Sequence, residues 1–538
     1  MVRLSGPVRL KPLALVASLA VTAALVVAPA PGASADPGPR TTSSPAAARA
    51  LADARALFAP AASTYARRAA APAKDATMVL HRLSVLRNEL RGDDRAAANR
   101  ILARPTDGAN DPDGSGYLHP EDAERACNDL LCVHWVDQTS DKVSQKDADQ
   151  NGIPDYVETV ADVVTDVLDT YAAAGYRAPE PDEDLGGDAR MDIYLADVGS
   201  QGYYGYCNSD QDIPRNGPHD GWAYCVLDND YSSDQFPTND ALKNLEVTAA
   251  HELFHAVQFA YDYYEDAWFM EATATWAEDE LYDDVDDNLQ YLSQSPLARP
   301  AASMDRFDYG GVQQYGDWIF FRYLTEHFPD AEGGLPTIVR SMWERADSAP
   351  GGDDDYSVQA IAHELAAEGT SLRSVFADFA DANRRPGLSY EEGAANHYPV
   401  ASPAGRTTLS SGHRDSGVLT RKVDHLASST FRFTRGSGLA ARTVKVQVDL
   451  PPTSRGSAAV VTVHSTSGQP ETTALALSSQ GDASKAFAFG SGVTYVEVTL
   501  VNASIRYTCG VAPNAGFSCD GRSMDDNLRM AVRAQAVR

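Results

Sequence analysis

The chain has little positive charge, few cysteines and, beyond its first 35 residues, no long apolar run. Its 538 residues include 45 lysines and arginines against 75 aspartates and glutamates, which gives a formal net charge of −30 at pH 7. Such an acidic surface repels phosphate groups, which argues against nucleic acids and anionic membranes as partners. No internal repeat is visible, and the length is sufficient for two or three domains.

The six cysteines fall into three pairs of close neighbours in the sequence. Because short loops favour pairing between neighbours, we predict three such disulfides, formed in an oxidising compartment. The predicted pairs are Cys127 with Cys132, Cys207 with Cys225, and Cys509 with Cys519.

The first 35 residues have the pattern of a secretory signal peptide. Arg3 and Arg9 lie in a basic start, residues 13–27 are apolar, and small residues ending at Ala35 match a cleavage site. The alternative is a retained membrane anchor, for which the apolar stretch is short. No cysteine lies near the predicted cleavage site, so lipid attachment is not expected there. We therefore predict a secreted, extracellular protein.

An HExxH motif runs from His251 to His255. Asn239 or Asp240 is expected to cap a helix here, since apolar residues recur at three- and four-residue spacing. These apolar residues are Leu242, Leu245, Ala249, Leu253 and Ala256. Residues four apart share one helix face, so the two histidines can direct their imidazoles at one metal ion, with Glu252 close enough to hold a water. The alternative is a buried helix whose two histidines make ordinary hydrogen bonds.

A third metal ligand is required, because a catalytic zinc ion usually has three protein ligands and a water. Glu271 is the candidate, since a short polar stretch separates the HExxH helix from a second predicted helix around it. Glu278 shares a face with Glu271 and is predicted to orient Glu271 or a histidine from behind. Gln258 lies on the histidine face and is predicted to have the same kind of supporting role.

The combination of HELFHAVQ (residues 251–258) and WFMEATATWAED (residues 268–279) resembles the gluzincin metallopeptidases. It is most similar to a family of secreted bacterial metalloproteases that share an HExxHxxQ and a W-x-x-E-[AG]-x-A-x-W-x-E pattern. The resemblance covers roughly residues 107–381. The gap from His255 to Glu271 is shorter than in the best-known gluzincins, and the third histidine of the metzincin pattern is replaced by Tyr261.

The resemblance also implies a residue that stabilises the oxyanion, since gluzincins commonly use a tyrosine or histidine after the glutamate helix. Tyr315 is the first candidate and Tyr309 the second. The alternative is that each of them is a packed aromatic residue.

A second motif, from Asp147 to Glu158, fits the D-x-D-x-N-G-x5-E pattern of a calcium loop. The predicted ligands are Asp147, Asp149, Asn151, Ile153 and Glu158, and Gly152 permits the sharp turn. The stretch resembles the calcium loops of EF-hands and thrombospondin type 3 repeats. The alternative is an Asx-rich turn that caps the following helix. Because there is no second loop to pair with it, its predicted role is structural.

The predicted fold class is an α+β zincin-like metallopeptidase domain followed by a C-terminal all-β, sandwich-like domain. Strands are predicted at 188–197, 203–207 and 222–226, before the metal helix, and short strands separated by turns recur after residue 430. The predicted boundaries are a signal peptide at 1–35, a helical N-terminal segment at 36–106, the metallopeptidase domain at 107–384, a linker at 385–412 and the C-terminal domain at 413–538. The N-terminal segment is either a pro-segment or a helical part of the mature fold.

The sequence thus predicts a secreted, monomeric zinc metallopeptidase with structural calcium, which acts on a peptide or protein substrate without nucleic-acid or membrane partners. Zinc held by His251, His255 and Glu271 would lower the pKa of a bound water, and Glu252 would pass that water's proton to the leaving amine. The rival is a zincin scaffold that has lost catalysis and serves as a secreted binding or adhesion module.

Overall fold

The computed structural model describes residues 42–59, 76–107, 114–214, 217–511 and 516–537. The predicted signal peptide at 1–35 lies outside these residues. In the described ranges, helices and strands are mixed, with several sheets and a β-rich C-terminal region.

A five-stranded mixed sheet lies at the centre of the N-terminal half. Its strands are β1 (Glu124–Cys127), β2 (Leu131–Trp135), β3 (Met191–Ala196), β4 (Gly205–Asn208) and β5 (Tyr224–Asp228), in the order β1-β2-β3-β5-β4. The inner strands β2, β3 and β5 are parallel, whereas β1 and β4 pair antiparallel at the two edges. The strand predicted at 188–197 is confirmed as β3, and the other two strands are displaced by two residues at their starts.

Helices α4 (Asp155–Ala173), α5 (Ala241–Tyr261) and α6 (Ala267–Leu281) share a hydrophobic core with one face of this sheet, to which β3 contributes Ile193 and Leu195. Helix α5 begins as predicted at Asp240, whose side chain accepts a hydrogen bond from the Lys243 backbone N–H at 3.0 Å. Of the predicted apolar stripe, Leu242 is 47% exposed and does not belong to the buried face, because the first turn of α5 extends beyond the core.

Helices α1 (Pro45–Phe58), α2 (Thr77–Leu86) and α3 (Gly92–Ile101) pack with the opposite face of the sheet. Side chains alternate along a strand, so this face carries Tyr194, Tyr206 and Tyr224. Helix α2 ends at Leu86, and a 3₁₀ turn at Arg87–Glu89 follows it.

The region after α6 is mainly helical. It contains α7 (Gln313–Gly316), α8 (Trp318–His327), α9 (Thr337–Arg345), α10 (Ser357–Ala367), α11 (Leu372–Ala382) and α12 (Pro386–Ser389). A two-residue hairpin of β6 (Ala331–Glu332) and β7 (Leu335–Pro336) precedes α9.

The C-terminal region consists mainly of two sheets whose inner residues form one hydrophobic cluster. One sheet contains β8 (Gly405–Leu409), β10 (Ala427–Arg435), β12 (Ser457–Ser465), β13 (Glu471–Ala474) and β15 (Val493–Asn502). The other contains β9 (Leu419–Val423), β11 (Thr443–Asp449), β14 (Asp482–Ala488) and β18 (Leu528–Val537), and a short ribbon joins β16 (Tyr507–Thr508) to β17 (Arg522–Ser523). Strand β8 lies inside the range predicted as a linker and pairs in parallel with β10, so this part of the range belongs to a sheet.

The three predicted disulfides are confirmed, and each joins cysteines that are near neighbours in the sequence. Cys127–Cys132 links β1 to β2, and Cys207–Cys225 links β4 to β5. Within the described residues, no helix combines the length and the apolar character that a bilayer crossing requires.

Candidate metal site

Two histidines of α5 and one glutamate of α6 converge on a single point. The Nε2 atoms of His251 and His255 lie 3.1 Å apart, because one helical turn places both rings on the same face. Glu271 Oε2 lies 3.3 Å from His251 Nε2 and 3.9 Å from His255 Nε2. A tetrahedral metal with bonds of about 2.0–2.1 Å separates its ligands by about 3.3 Å, so these three atoms have the spacing of one metal's donors.

The outer nitrogen of each imidazole is held by an acceptor. Glu278 Oε1 lies 2.6 Å from His251 Nδ1, and Gln258 Oε1 lies 2.7 Å from His255 Nδ1. The orientation of the Gln258 amide follows from its Nε2, which donates to Met270 O at 2.9 Å and to Thr273 Oγ1 at 3.0 Å. Each Nδ1 therefore carries the hydrogen, and each Nε2 directs its lone pair inward.

This arrangement fits a metal ion. Two inward-facing nitrogen lone pairs and a carboxylate oxygen meet within one buried cluster, where like partial charges would otherwise repel each other strongly. Imidazole and carboxylate donors suit a first-row transition metal, and three protein donors leave a fourth tetrahedral position for a water. Of the two roles predicted for Glu278, the structure supports contact with a histidine, since the carboxylate faces His251.

Glu252 and Tyr315 lie at the same cavity as His251. The cavity has a volume of about 30 Å³, and its wall also includes Tyr204, Val247, Thr248, Glu278, Asp287 and Tyr291. The ring of Tyr315 is centred 6.1 Å from that of His251 and stacks on Tyr291 at 5.1 Å. Tyr309 is not part of this wall, because its ring lies under the Arg82 guanidinium, 4.4 Å from it. Of the two tyrosines considered for an oxyanion, only Tyr315 is therefore near the metal cluster.

The predicted calcium loop precedes α4 and is closed by its own hydrogen bonds. Asp147 accepts hydrogen bonds from the backbone N–H groups of Asn151 and Gly152, and the bond from Gly152 lowers its pKa although desolvation opposes it. The Asn151 amide donates to Asp149 Oδ2 at 3.1 Å and to Glu158 Oε1 at 2.7 Å. Asp149 and Glu158 thus both accept a hydrogen bond from the Asn151 side-chain amide. The Ile153 backbone N–H, in turn, donates to Asn151 Oδ1 at 2.8 Å.

Calcium requires six to eight oxygen ligands, and the loop side chains supply oxygens at the predicted positions. In the part of the chain that the structure describes, some acidic, cysteine and histidine side chains lie close enough together to share one ion. The side chains of this loop are not among them. Occupation by calcium would require the loop carboxylates to move closer together and the Asn151 amide to turn its oxygen toward them.

Sequence reasoning missed several residues at the metal site. Thr77, the first residue of α2, donates a hydrogen bond from Oγ1 to Glu252 Oε2 at 2.9 Å. Tyr204 and Tyr291 line the cavity from distant parts of the chain. No motif marks these residues, and their positions depend on long-range packing.

Neither a protein-family model nor a curated protein matches the chain. Among solved structures, it is similar at 12% identity to a mutant of PliG-Ec, a periplasmic inhibitor of g-type lysozyme from Escherichia coli, over 25% of this chain and 98% of that one, with a TM-score of 0.14. A family GH115 4-O-methyl-alpha-glucuronidase, BtGH115A, is 10% identical over 68% of this chain and 54% of its own, also with a TM-score of 0.14. Likenesses this slight indicate neither a shared fold nor a shared function.

Proposed function

We propose that the chain is a secreted zinc metallopeptidase of gluzincin type, built on a zincin-like α+β domain with a sandwich-like C-terminal domain. The observation that carries this proposal is the convergence of His251 Nε2, His255 Nε2 and Glu271 Oε2, with the Glu252 carboxylate at the adjoining cavity. The donor set of two imidazoles and one carboxylate is typical of catalytic zinc. The three disulfides and the acidic surface are consistent with an extracellular protein.

A bound zinc ion would supply a water of lowered pKa and would polarise the scissile carbonyl group. The protein's own residues have separate tasks. Glu252 takes a proton from the attacking water and delivers it to the leaving amine, because it follows His251 in α5 and lines the same cavity. Tyr315 lines the same cavity, with its ring centred 6.1 Å from that of His251, and can donate its hydroxyl hydrogen to the carbonyl oxygen as negative charge develops there.

The two histidines are oriented by hydrogen bonds at their outer nitrogens. Glu278 and Gln258 fix the orientation of the two imidazoles and keep their hydrogens on Nδ1. An imidazole held in this way loses little freedom when it binds a metal ion. The same proposal includes a structural calcium ion in the loop from Asp147 to Glu158, whose oxygens match the positions of a calcium loop.

The alternative is a catalytically inactive zincin scaffold that serves as a secreted binding module. A scaffold of that kind needs the metal ligands for stability but has no need of a general base. The presence of Glu252 at the cavity favours the enzyme.

The test is peptide cleavage by zinc-loaded protein, with a peptide library as substrate, in the presence and absence of a zinc chelator. Glu252→Gln should retain zinc and fold normally, while cleavage falls by about 10²–10⁴-fold, since an amide cannot accept the proton. Glu246→Gln is the matched control, because it makes the same change on the same helix away from the cavity. Cleavage that survives in Glu252→Gln would show that Glu252 is not the base. Absence of peptide cleavage both in the zinc-loaded unmodified protein and in a zinc-loaded variant without the Thr77 hydroxyl would favour the binding module.

A further inference from the structure

The N-terminal helical segment contacts the proposed catalytic base directly. Thr77 is fully buried, and its hydroxyl donates to Glu252 Oε2 and accepts from the Cys207 backbone N–H, each at 2.9 Å. A hydroxyl has one hydrogen to donate and two lone pairs to accept with, so both bonds form at once. Thr77 therefore joins α2, the metal helix α5 and strand β4 at one point.

Strand β4 is an edge strand of the central sheet, and the hydrogen bond from Cys207 is made on its outer side. Cys207 lies opposite Cys225 of β5 with their Cα atoms 4.0 Å apart, a spacing typical of a non-hydrogen-bonded antiparallel pair. The Cys207 N–H thus points away from β5. An extended peptide that added to this edge would use the same N–H, which Thr77 now occupies.

Several further contacts fix the segment of residues 76–107 to the body of the protein. Arg87 donates to the backbone carbonyls of Asp210 and Gln211 at 3.2 and 2.7 Å. The Tyr224 hydroxyl donates to the carbonyls of Leu102 and Ala103, and His81 lies 2.5 Å from the Tyr263 carbonyl. Arg104 forms buried ion pairs with Asp182, Asp192 and Asp210.

This contact surface has the composition of a protein–protein interface. The sheet face below the segment is rich in tyrosine, and arginine provides the main charged anchor, both of which are enriched in interfaces. By contrast, the opposite face of β3 presents the aliphatic Ile193 and Leu195 to its helices.

In this structure the proposed active site has no room for a peptide, although the cavity beside it is not lined by residues 76–107. Glu252 is 1% exposed, and His255 and Glu271 are fully buried. The adjoining cavity of about 30 Å³ can hold one or two waters but not an amino-acid residue.

We propose that residues 76–107 act as an intramolecular inhibitor, in which Thr77 blocks Glu252 and the outer edge of β4. The inference rests on the proposed function, since it assigns a regulatory role to a contact with the proposed base. Opening or removal of the segment would free the Glu252 carboxylate and the Cys207 N–H together. A peptide substrate and the segment would then compete for the same surface.

Thr77→Val in the full-length chain tests this inference, because valine keeps the shape of threonine but lacks the hydroxyl. In the closed state, the variant removes one hydrogen bond from a buried carboxylate and one from a buried N–H, whereas water bonds both groups in the open state. The loss should favour opening by about 5- to 150-fold. Two rates are measured and both should rise by this factor: the cleavage of peptides, and the release of zinc from loaded protein to an excess of chelator.

Two further variants complete the experiment. Arg87→Ala removes two anchoring hydrogen bonds without touching Glu252, so it should also accelerate both processes and serves if Thr77→Val fails to fold. Thr170→Val is the matched control, because its hydroxyl donates to Asp166 O within α4 and contacts neither the segment nor the metal site, and both rates should stay unchanged.

The zinc readout separates this inference from the proposed function. Faster zinc release without cleavage of any peptide would support the inhibitor role and refute the peptidase. Equal rates of cleavage and of zinc release in Thr77→Val, Arg87→Ala and the unmodified protein would overturn the inhibitor role, while chelator-sensitive cleavage would leave the peptidase standing.

Discussion

Removing the side chain of Glu271 should weaken zinc binding far more than removing that of Glu278, although both glutamates contact His251. The two carboxylates face different nitrogens. Glu271 Oε2 lies 3.3 Å from Nε2, on the inner side of the cluster, whereas Glu278 Oε1 lies 2.6 Å from Nδ1, on the outer side. Glu271→Ala would therefore remove a ligand, and Glu278→Ala would remove only the group that orients one.

The size of each effect follows from the role of each group. Structural zinc sites bind with about 10–16 kcal/mol, or roughly 2.5–4 kcal/mol for each of four ligands if they contribute equally. Since about 1.4 kcal/mol corresponds to a tenfold change, Glu271→Ala should weaken zinc affinity by roughly 10²–10³-fold. Loss of a supporting contact usually weakens metal affinity by about 10–100-fold, which is the expectation for Glu278→Ala and for Gln258→Ala.

The assay is an equilibrium competition for zinc between each variant and a chromogenic chelator at neutral pH, followed by measurement of the zinc content after dialysis. Glu280→Ala is the control on the same helix, since Glu280 accepts from Trp276 Nε1 and Thr325 Oγ1 at 3.0 Å and does not face the metal cluster. Its zinc affinity should equal that of the unmodified protein. A Glu278→Ala protein that emerges free of metal while Glu271→Ala stays loaded would reverse the two roles and refute the geometric reasoning.

Two further predictions concern stability. Replacing Asp147 and Asp149 with alanine should abolish the calcium-dependent rise of Tm, and identical melting curves of the unmodified protein with calcium and with chelator would contradict a calcium site. His425 lies buried between Asp305 and Asp526; burial lowers its pKa, but the two carboxylates outweigh burial and raise it from 6.5 to about 10. Its contribution to stability should therefore be complete below pH 6.5 and lost as the pH rises to about 10, a change of a few kcal/mol that is absent in His425→Gln. Unfolding free energies with the same slope over this range in both proteins would contradict the assignment.

The parts of the site that sequence could predict are those that depend on local geometry. A spacing of four residues places His251 and His255 on one helix face wherever that helix lies, and the short connection at residues 262–266 brings Glu271 back beside them. Strand β3 was predictable for the same reason, because its side chains alternate. The disulfides followed from short separations in the sequence.

The parts that sequence could not predict depend on contacts between distant segments. The hydrogen bond from Thr77 to Glu252 spans 175 residues, and nothing in the local pattern of α2 distinguishes Thr77 from an ordinary residue of a helix start. Strand β8 was assigned to a linker because its composition is typical of loops, and only its pairing with β10 makes it a strand. Leu242 fits the apolar period of α5 but lies beyond the end of the core.

Gln258 shows how the metal site and the packing of its helices depend on each other. Its amide oxygen holds His255 Nδ1, while its amide nitrogen donates to Met270 O and Thr273 Oγ1 of α6. Met270 and Thr273 flank Glu271 in α6. Gln258 therefore orients His255 and also fixes the position of Glu271 along the axis of α5. Thr273 is in turn contacted by Trp343 Nε1 at 3.2 Å, which ties the register of the two helices to α9. A shift of α6 against α5 by about 1 Å would exceed the tolerance of a metal–donor bond. Metal affinity should therefore depend on the packing of these two helices.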